Sequence, residues 1–255
     1  RWGSGFPLPI PDQCEVPAMA RAIAFNVRQW HKWVSLFVGI QAMLWLASGL
    51  YMVIINLNFI HGDHLVRNMS DTLPPGYTPG FGFEEVMSSY PQAELISLET
   101  WLGKPYYRVQ TIDGRVLVDA QTGIQRSPLD RTDAIAVAQY HYARPGEAKS
   151  AQLLVDQANA PSEIQGRKLP LWRIDFEDPG RTSFYVSPDD GALVTRRHDY
   201  WRIFDFVWML HIMDYKDRAD VNNTLLRAFA GLGLILSIAG IWLLWFSFKH
   251  RRGVR

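Results

Sequence analysis

Two stretches of the chain abandon the mixture of polar and apolar positions seen elsewhere. From Trp33 to Leu57 ("WVSLFVGIQAMLWLASGLYMVIINL") and again from Ala228 to Phe248 ("AFAGLGLILSIAGIWLLWFSF") there is no charged side chain. A hydrocarbon core of about 30 Å takes roughly 20 helical residues, so either run is long enough to cross it. Helices on the core of a soluble protein keep a polar stripe over such lengths, and these two do not. The pattern predicts one transmembrane helix within residues 28–58, with an interfacial start, and a second within 224–248. Neither resembles a cleaved signal peptide, because both outrun its apolar region and the first lies well inside the chain.

Between them the pattern shortens to strand alternation. In residues 59–130, "FEEVMSSYP" reads as a helix, and "AELISLETWL", "PYYRVQTIDG" and "RVLVDAQTG" read as strands stopped by Asp-Gly and Thr-Gly turns. Residues 131–199 repeat the order: "TDAIAVAQYHY" as helix, "AKSAQLLVDQA" as strand, then "LPLWRIDFED" and "RTSFYVSPDDG" as a hairpin. "PYYR" at 105–108 matches "PLWR" at 170–173 with an offset of 65, and "VDAQTG" at 118–123 matches "VSPDDG" at 186–191 with an offset of 68. The three-residue difference fits a longer second hairpin loop holding Pro179 and Gly180. Two copies of a helix-plus-three-strand unit follow, in an α+β class.

Residues 200–223 mix "FVWMLHIM" with a dense run of charge and predict an amphipathic helix and turn at the membrane surface. On a helix over 201–215, Arg202 and Asp205 form an i,i+3 pair, while His211, Asp214 and Tyr215 share a face. Asn222 or Asn223 is placed to cap the second span.

Charge sets the orientation. Arg21, Arg28 and Lys32 precede the first span, and Lys249, Arg251, Arg252 and Arg255 follow the second; the intervening side offers Arg67, Lys216, Arg218 and Arg227. Seven basic residues against four put both termini in the cytoplasm. Residues 1–27 then form a Pro-rich cytoplasmic tail and 249–255 a basic one. The middle lies outside, in the periplasm if the membrane is the inner membrane of a Gram-negative cell. Cys14, the only cysteine, falls in the tail, so the external domain has no disulfide and no thiolate zinc site. A formal net charge of +1 points to no nucleic-acid partner. The partners expected are the bilayer and other integral membrane subunits, because Gly39, Ala47, Ser48, Gly49, Gly233, Ser237 and Gly240 permit close helix approach.

The paired segments "YYRVQTIDGRVLVDAQTG" and "LWRIDFEDPGRTSFYVSPDDGALV" resemble PepSY domains. "RQWHKWVSLFVGIQAMLWLASGLYM" and "WRIFDFVWMLHIMDY" are similar to the membrane segments of PepSY-associated transmembrane proteins, most specifically in His31-Lys32-Trp33, Ser48-Gly49 and "LHIMDY" at 210–215. The resemblance implies a periplasmic domain of helices on small antiparallel sheets, held by membrane helices. It further implies either a role beside redox or peptidase systems, or haem b held by membrane histidines in a reductase of periplasmic acceptors such as ferric siderophores.

No Gly-x-Ser-x-Gly, His-Glu-x-x-His, Walker or GxGxxG motif occurs, and the adjacent carboxylates of "VSPDDG" read as a turn. Histidines carry what chemistry there is. His31, His61, His64 and His211 lie near the predicted membrane boundaries and are the candidate haem ligands, with Asp214 orienting His211 from behind. His31 and His211 sit on opposite faces of the bilayer, which leaves His61 or His64 with His211 outside, and His31 with His250 or a second subunit inside. Each also has a plainer reading: an interfacial aromatic belt around His31, positive-inside anchoring for His250, and a hydrogen-bonded interfacial role for His211. "HGDH" at 61–64 is a further metal candidate. The leading expectation is an accessory subunit of a membrane redox or respiratory complex. A haem-bearing reductase component and a periplasmic peptidase modulator are the alternatives.

Overall fold

The computed structural model describes residues 18–67 and 72–251; within them, the side chains of residues 18–28, 31 and 242–251 are not described. Among the described residues, those up to Ala47 together with those from Val221 onward form one compact unit, and those within Ser48–Asp220 form the other.

Helix α1 (Ala18–Ile54) and helix α6 (Thr224–Arg251) contain the two apolar runs. Over Lys32–Ile54 and Thr224–Ile241 they are long and apolar enough to cross a membrane, with mean hydropathies of 1.8 and 1.9. Helix α1 begins well before residue 28, so the last part of the expected tail, from Ala18 onward, is helical. After Pro17, "AMARAIAFNV" holds no residue that breaks a helix. Cys14 lies outside the described residues. The first unit brings Phe37 of α1 against Phe229 of α6, with ring centroids 5.4 Å apart. Asn223 Oδ1 accepts the backbone N–H of Leu226 at 2.8 Å, capping α6 as its position before the apolar run suggests.

The second unit starts with the last two turns of α1, a short helix α2 (Leu57–Ile60) and a 3₁₀ turn at Asp63–Leu65. Helix α3 (Phe83–Ser89) leads into the antiparallel sheet β1 (Ala93–Trp101), β2 (Lys104–Thr111) and β3 (Gly114–Asp119). Helix α4 (Arg131–His141) leads into a second antiparallel sheet, β4 (Ala148–Leu154), β5 (Leu171–Phe176), β6 (Ser183–Val186) and β7 (Leu193–Arg197).

The two sheets repeat each other in register. Tyr107 pairs with Val118 and Trp172 with Val186; Arg108 pairs with Leu117 and Arg173 with Tyr185. These are the positions related by the two sequence offsets. The first strand of each sheet carries its irregularity at the matching place, between Ala93 and Leu95 and between Ala148 and Ser150. Both copies close on a glycine with positive φ, Gly123 and Gly191, whose N–H groups bond Asp119 O and Ser187 O. Strand β7 was not expected. "LVTRR" has no apolar alternation of its own and is a strand because β6 offers it an edge.

Alternation along the strands feeds different cores. Tyr107, Val109 and Val118 pack with Val86 of α3, while Tyr106 and Leu117 face the larger cluster of Trp101, Leu129, Val137, Ile174, Phe176 and Phe184. That cluster joins the two repeats. Fully burying each such side chain is worth about 1.5–3 kcal/mol. The junction is sealed by polar contacts: Arg115 Nη1 meets Asp190 Oδ2 at 3.1 Å, and Leu129 N–H donates to Pro188 O at 2.7 Å. The "VSPDDG" segment is a turn as expected, and Asp190 within it is also this buried ion-pair partner.

Helix α5 (Asp199–Ile212) ends three residues before the expected limit. Met213 turns left-handed, with φ 55°, and Asp214 faces its own loop. Its Oδ1 accepts N–H groups of Lys216 and Asp217, and its Oδ2 those of Ala219 and Asp220.

Candidate functional site

Helix α5 returns alongside the C-terminal end of α1. Tyr200 stands edge-on to Phe59 at 5.2 Å, Phe204 meets Tyr51 at 6.4 Å, and His211 Nδ1 lies 2.8 Å from Ser48 Oγ. The rungs rise along α5 from Tyr200 to His211 and descend from Phe59 of α2 through Tyr51 to Ser48 of α1, so α5 runs antiparallel to α1. The end of α5 thereby packs beside Ser48, within the apolar run of α1. The close approach at this rung uses Gly49, where an added Cβ would stand 3.6 Å from His211 Cε1. Ser48-Gly49 and "LHIMDY", far apart in sequence, therefore meet.

At the other end of α5, two imidazoles come together. His198, which precedes the helix, is 2 % exposed, and its Nε2 lies 3.1 Å from Ile60 O. His64 stacks on Phe59 at 4.6 Å and presents its edge to His198 at 5.6 Å. Burial holds the His198 imidazole below its ordinary pKa, against the raising effect of the carbonyls of Ile60 and Phe59. His64 is lowered too, first by burial, then by the Arg144 guanidinium and His198. Both rings are thus poised neutral, able to donate from one nitrogen and accept at the other. They border a cleft of about 480 Å³ between α2, the loops after α4 and β5, and the start of α5.

Behind the cleft lies a charged network. Arg202 donates to Glu163 Oε2 at 2.7 Å, to Asp199 Oδ1 at 3.0 Å and to Ser183 Oγ at 3.1 Å. The expected Arg202–Asp205 pair is not made. Arg202 turns back to Asp199 and Glu163, and Asp205 pairs with Arg218 of the following loop. The hydroxyl of Tyr185 donates to Glu163 Oε1, and burial foremost, then Glu163, raises its pKa. Arg197 lies over Trp201 at 3.9 Å, and burial brings its pKa down to about 10.

Among the described residues, the candidate ligands do not converge. His61 is exposed, and its carbonyl accepts Arg196 Nε at 3.0 Å. His64 belongs to the His198 end of α5 and His211 to the opposite end, about 20 Å away at 1.5 Å per residue. One haem therefore cannot take His64 and His211 as its two ligands, and those residues do not fit the outer-side haem. Asp214 lies beyond the helix and gives both carboxylate oxygens to backbone N–H groups, which bring its pKa down to about 2. The side chains of His31 and His250 lie outside the described residues. No group of three or more His, Cys, Asp or Glu among the described residues is placed to hold a metal ion, "HGDH" included. Sequence reasoning missed His198, Arg144 and the Arg202–Glu163 network. The His198–Ile60 contact spans 138 positions, and no local pattern marks it.

The class defined here is an α+β domain of two antiparallel sheets attached to two helices able to cross a membrane. No protein-family profile matches the chain, and no curated protein and no solved structure matches it.

Proposed function

We propose that this chain is a membrane-anchored accessory subunit. In this reading α1 and α6 cross a bacterial inner membrane with both termini cytoplasmic. They hold the two-sheet domain in the periplasm and pack against other integral subunits of a redox or respiratory assembly. The observation that carries the reading concerns the glycines of the two apolar helices. A Cβ at Gly39, Gly231, Gly233 or Gly240 would meet nothing within 4 Å. Glycine within a helix costs about 1 kcal/mol relative to alanine, and between lipid-phase helices its benefit is close backbone approach. Among the described residues these four make no such approach, so a second polypeptide accounts for them. The basic flanks support the orientation, and the resemblance of "RQWHKWVSLFVGIQAMLWLASGLYM" and "WRIFDFVWMLHIMDY" to PepSY-associated membrane segments supports the redox setting.

The test places a photocrosslinking residue at Gly39 or Gly233 in native membranes. Adducts with a different integral membrane protein are expected, with the chain remaining in the membrane pellet after alkaline extraction. Adducts with lipid alone, and a monomer in mild detergent, would overturn the assembly role. Release by alkaline treatment would overturn the anchor itself.

A further inference from the structure

We propose that the cleft bordered by His64, Arg144 and Tyr200 binds a phosphate-class anion, presented to it as the headgroup of a phospholipid. Its volume of about 480 Å³ accommodates a headgroup. Arg144 is exposed and has no ion-pair partner among the described residues, and the His64 ring nitrogens have no hydrogen-bond partner there. The two acidic residues of the lining are already engaged. Asp178 accepts the Thr182 N–H at 2.7 Å and its hydroxyl at 2.8 Å. Asp199 is held by Arg181 at 2.9 Å and Arg202 at 3.0 Å. Arg144 and His64 are left as the available donors, and a guanidinium is suited to phosphate oxygens.

Position argues for a lipid as the source, and this part rests on the anchored reading above. The Phe204–Tyr51 contact sets α5 against the last turn of the apolar window of α1. His198 lies six residues farther along α5, about 9 Å outward. A hydrocarbon core of about 30 Å within a bilayer of about 40–45 Å leaves the headgroup layer at that height. At the cleft, Tyr200 is 52 % and Ile203 50 % exposed, which supplies an apolar surface for the glycerol and upper acyl chain. A divalent cation is the poorer occupant, since Arg144 would repel it.

The full chain, delipidated in detergent, is titrated with phosphatidylglycerol in mixed micelles, with diacylglycerol in the same micelles, and with inorganic phosphate. The His64 imidazole is followed by NMR and assigned with His64→Gln. Phosphatidylglycerol should raise the His64 protonation midpoint, diacylglycerol should not, and Arg144→Gln should weaken binding at least about tenfold while Arg144→Lys restores part of it. Inorganic phosphate producing the same shift at equal concentration would support the anion site and assign it to free phosphate. If neither phosphate compound moves His64, or Arg144→Gln binds as well as the parent chain, the proposal falls. Alkaline extraction of the same preparation reports separately on the anchor.

Discussion

The Nδ1 atom of His211 and the Oγ atom of Ser48, 2.8 Å apart, fasten the end of α5 to the C-terminal part of α1 across 163 positions of sequence. Ser48 is 8 % exposed, so little water competes for the bond. Ser48→Ala should destabilise the second unit by about 1 kcal/mol, the usual worth of one such hydrogen bond. Gly49→Leu should cost more, because a large side chain must displace the imidazole. Denaturation of the full chain in detergent, followed by tryptophan fluorescence, measures both; equal stability of all three proteins would remove this contact from the account.

Gly191 should tolerate no side chain. Its φ is +64°, and an added Cβ would stand 2.9 Å from Trp101 Cε2 and 3.0 Å from Leu129 Cδ1. Strain at the backbone and overpacking of the core each cost about 1–3 kcal/mol. Gly191→Ala should therefore lower the urea midpoint clearly, whereas Gly76→Ala, with similar φ (+75°) but nothing within 4 Å, should suffer the backbone cost alone. The difference between the two variants isolates the packing cost at the junction of the repeats.

Arg202 and Glu163 form a partly buried pair, with side-chain exposures of 28 % and 10 %. Removing one charge strands the other. Arg202→Met should cost about 3 kcal/mol, at the lower end of the range for a broken buried pair. Adding Glu163→Gln should recover part of that loss, since the stranded carboxylate is then gone. A double-mutant cycle by chemical denaturation gives the coupling, and strict additivity would contradict it.

Stability should fall as the medium is acidified. The folded-state pKa of His198 is depressed below its ordinary value of 6.5, and so is that of His64. The unfolded chain then binds more protons than the folded one below that value. The contribution of both imidazoles is complete above pH 6.5 and is lost as the pH drops through their folded pKa values. Thermal midpoints measured from neutral to mildly acidic pH should decline, and His198→Gln should flatten the decline. An unchanged slope in that variant would transfer the effect to other groups.

What local pattern can show, the sequence alone determined. The two long apolar helices, α3, α4 and strands β1 to β6 all appear in the spacing of apolar positions, because periodicity is a property of neighbours along the chain. Even the registers of Tyr107–Val118 and Trp172–Val186 follow from the matched segments. Tertiary structure decided the rest. Strand β7 exists through its partner, α5 stops where Met213 turns and Asp214 collects backbone N–H groups, and Arg202 takes Glu163 in preference to Asp205. His198 meets His64 only because the chain, after crossing two sheets, returns to the foot of α1. Side chains separated by more than a hundred positions leave no periodic trace, and burial and hydrogen bonding between them arise only once the chain has closed on itself.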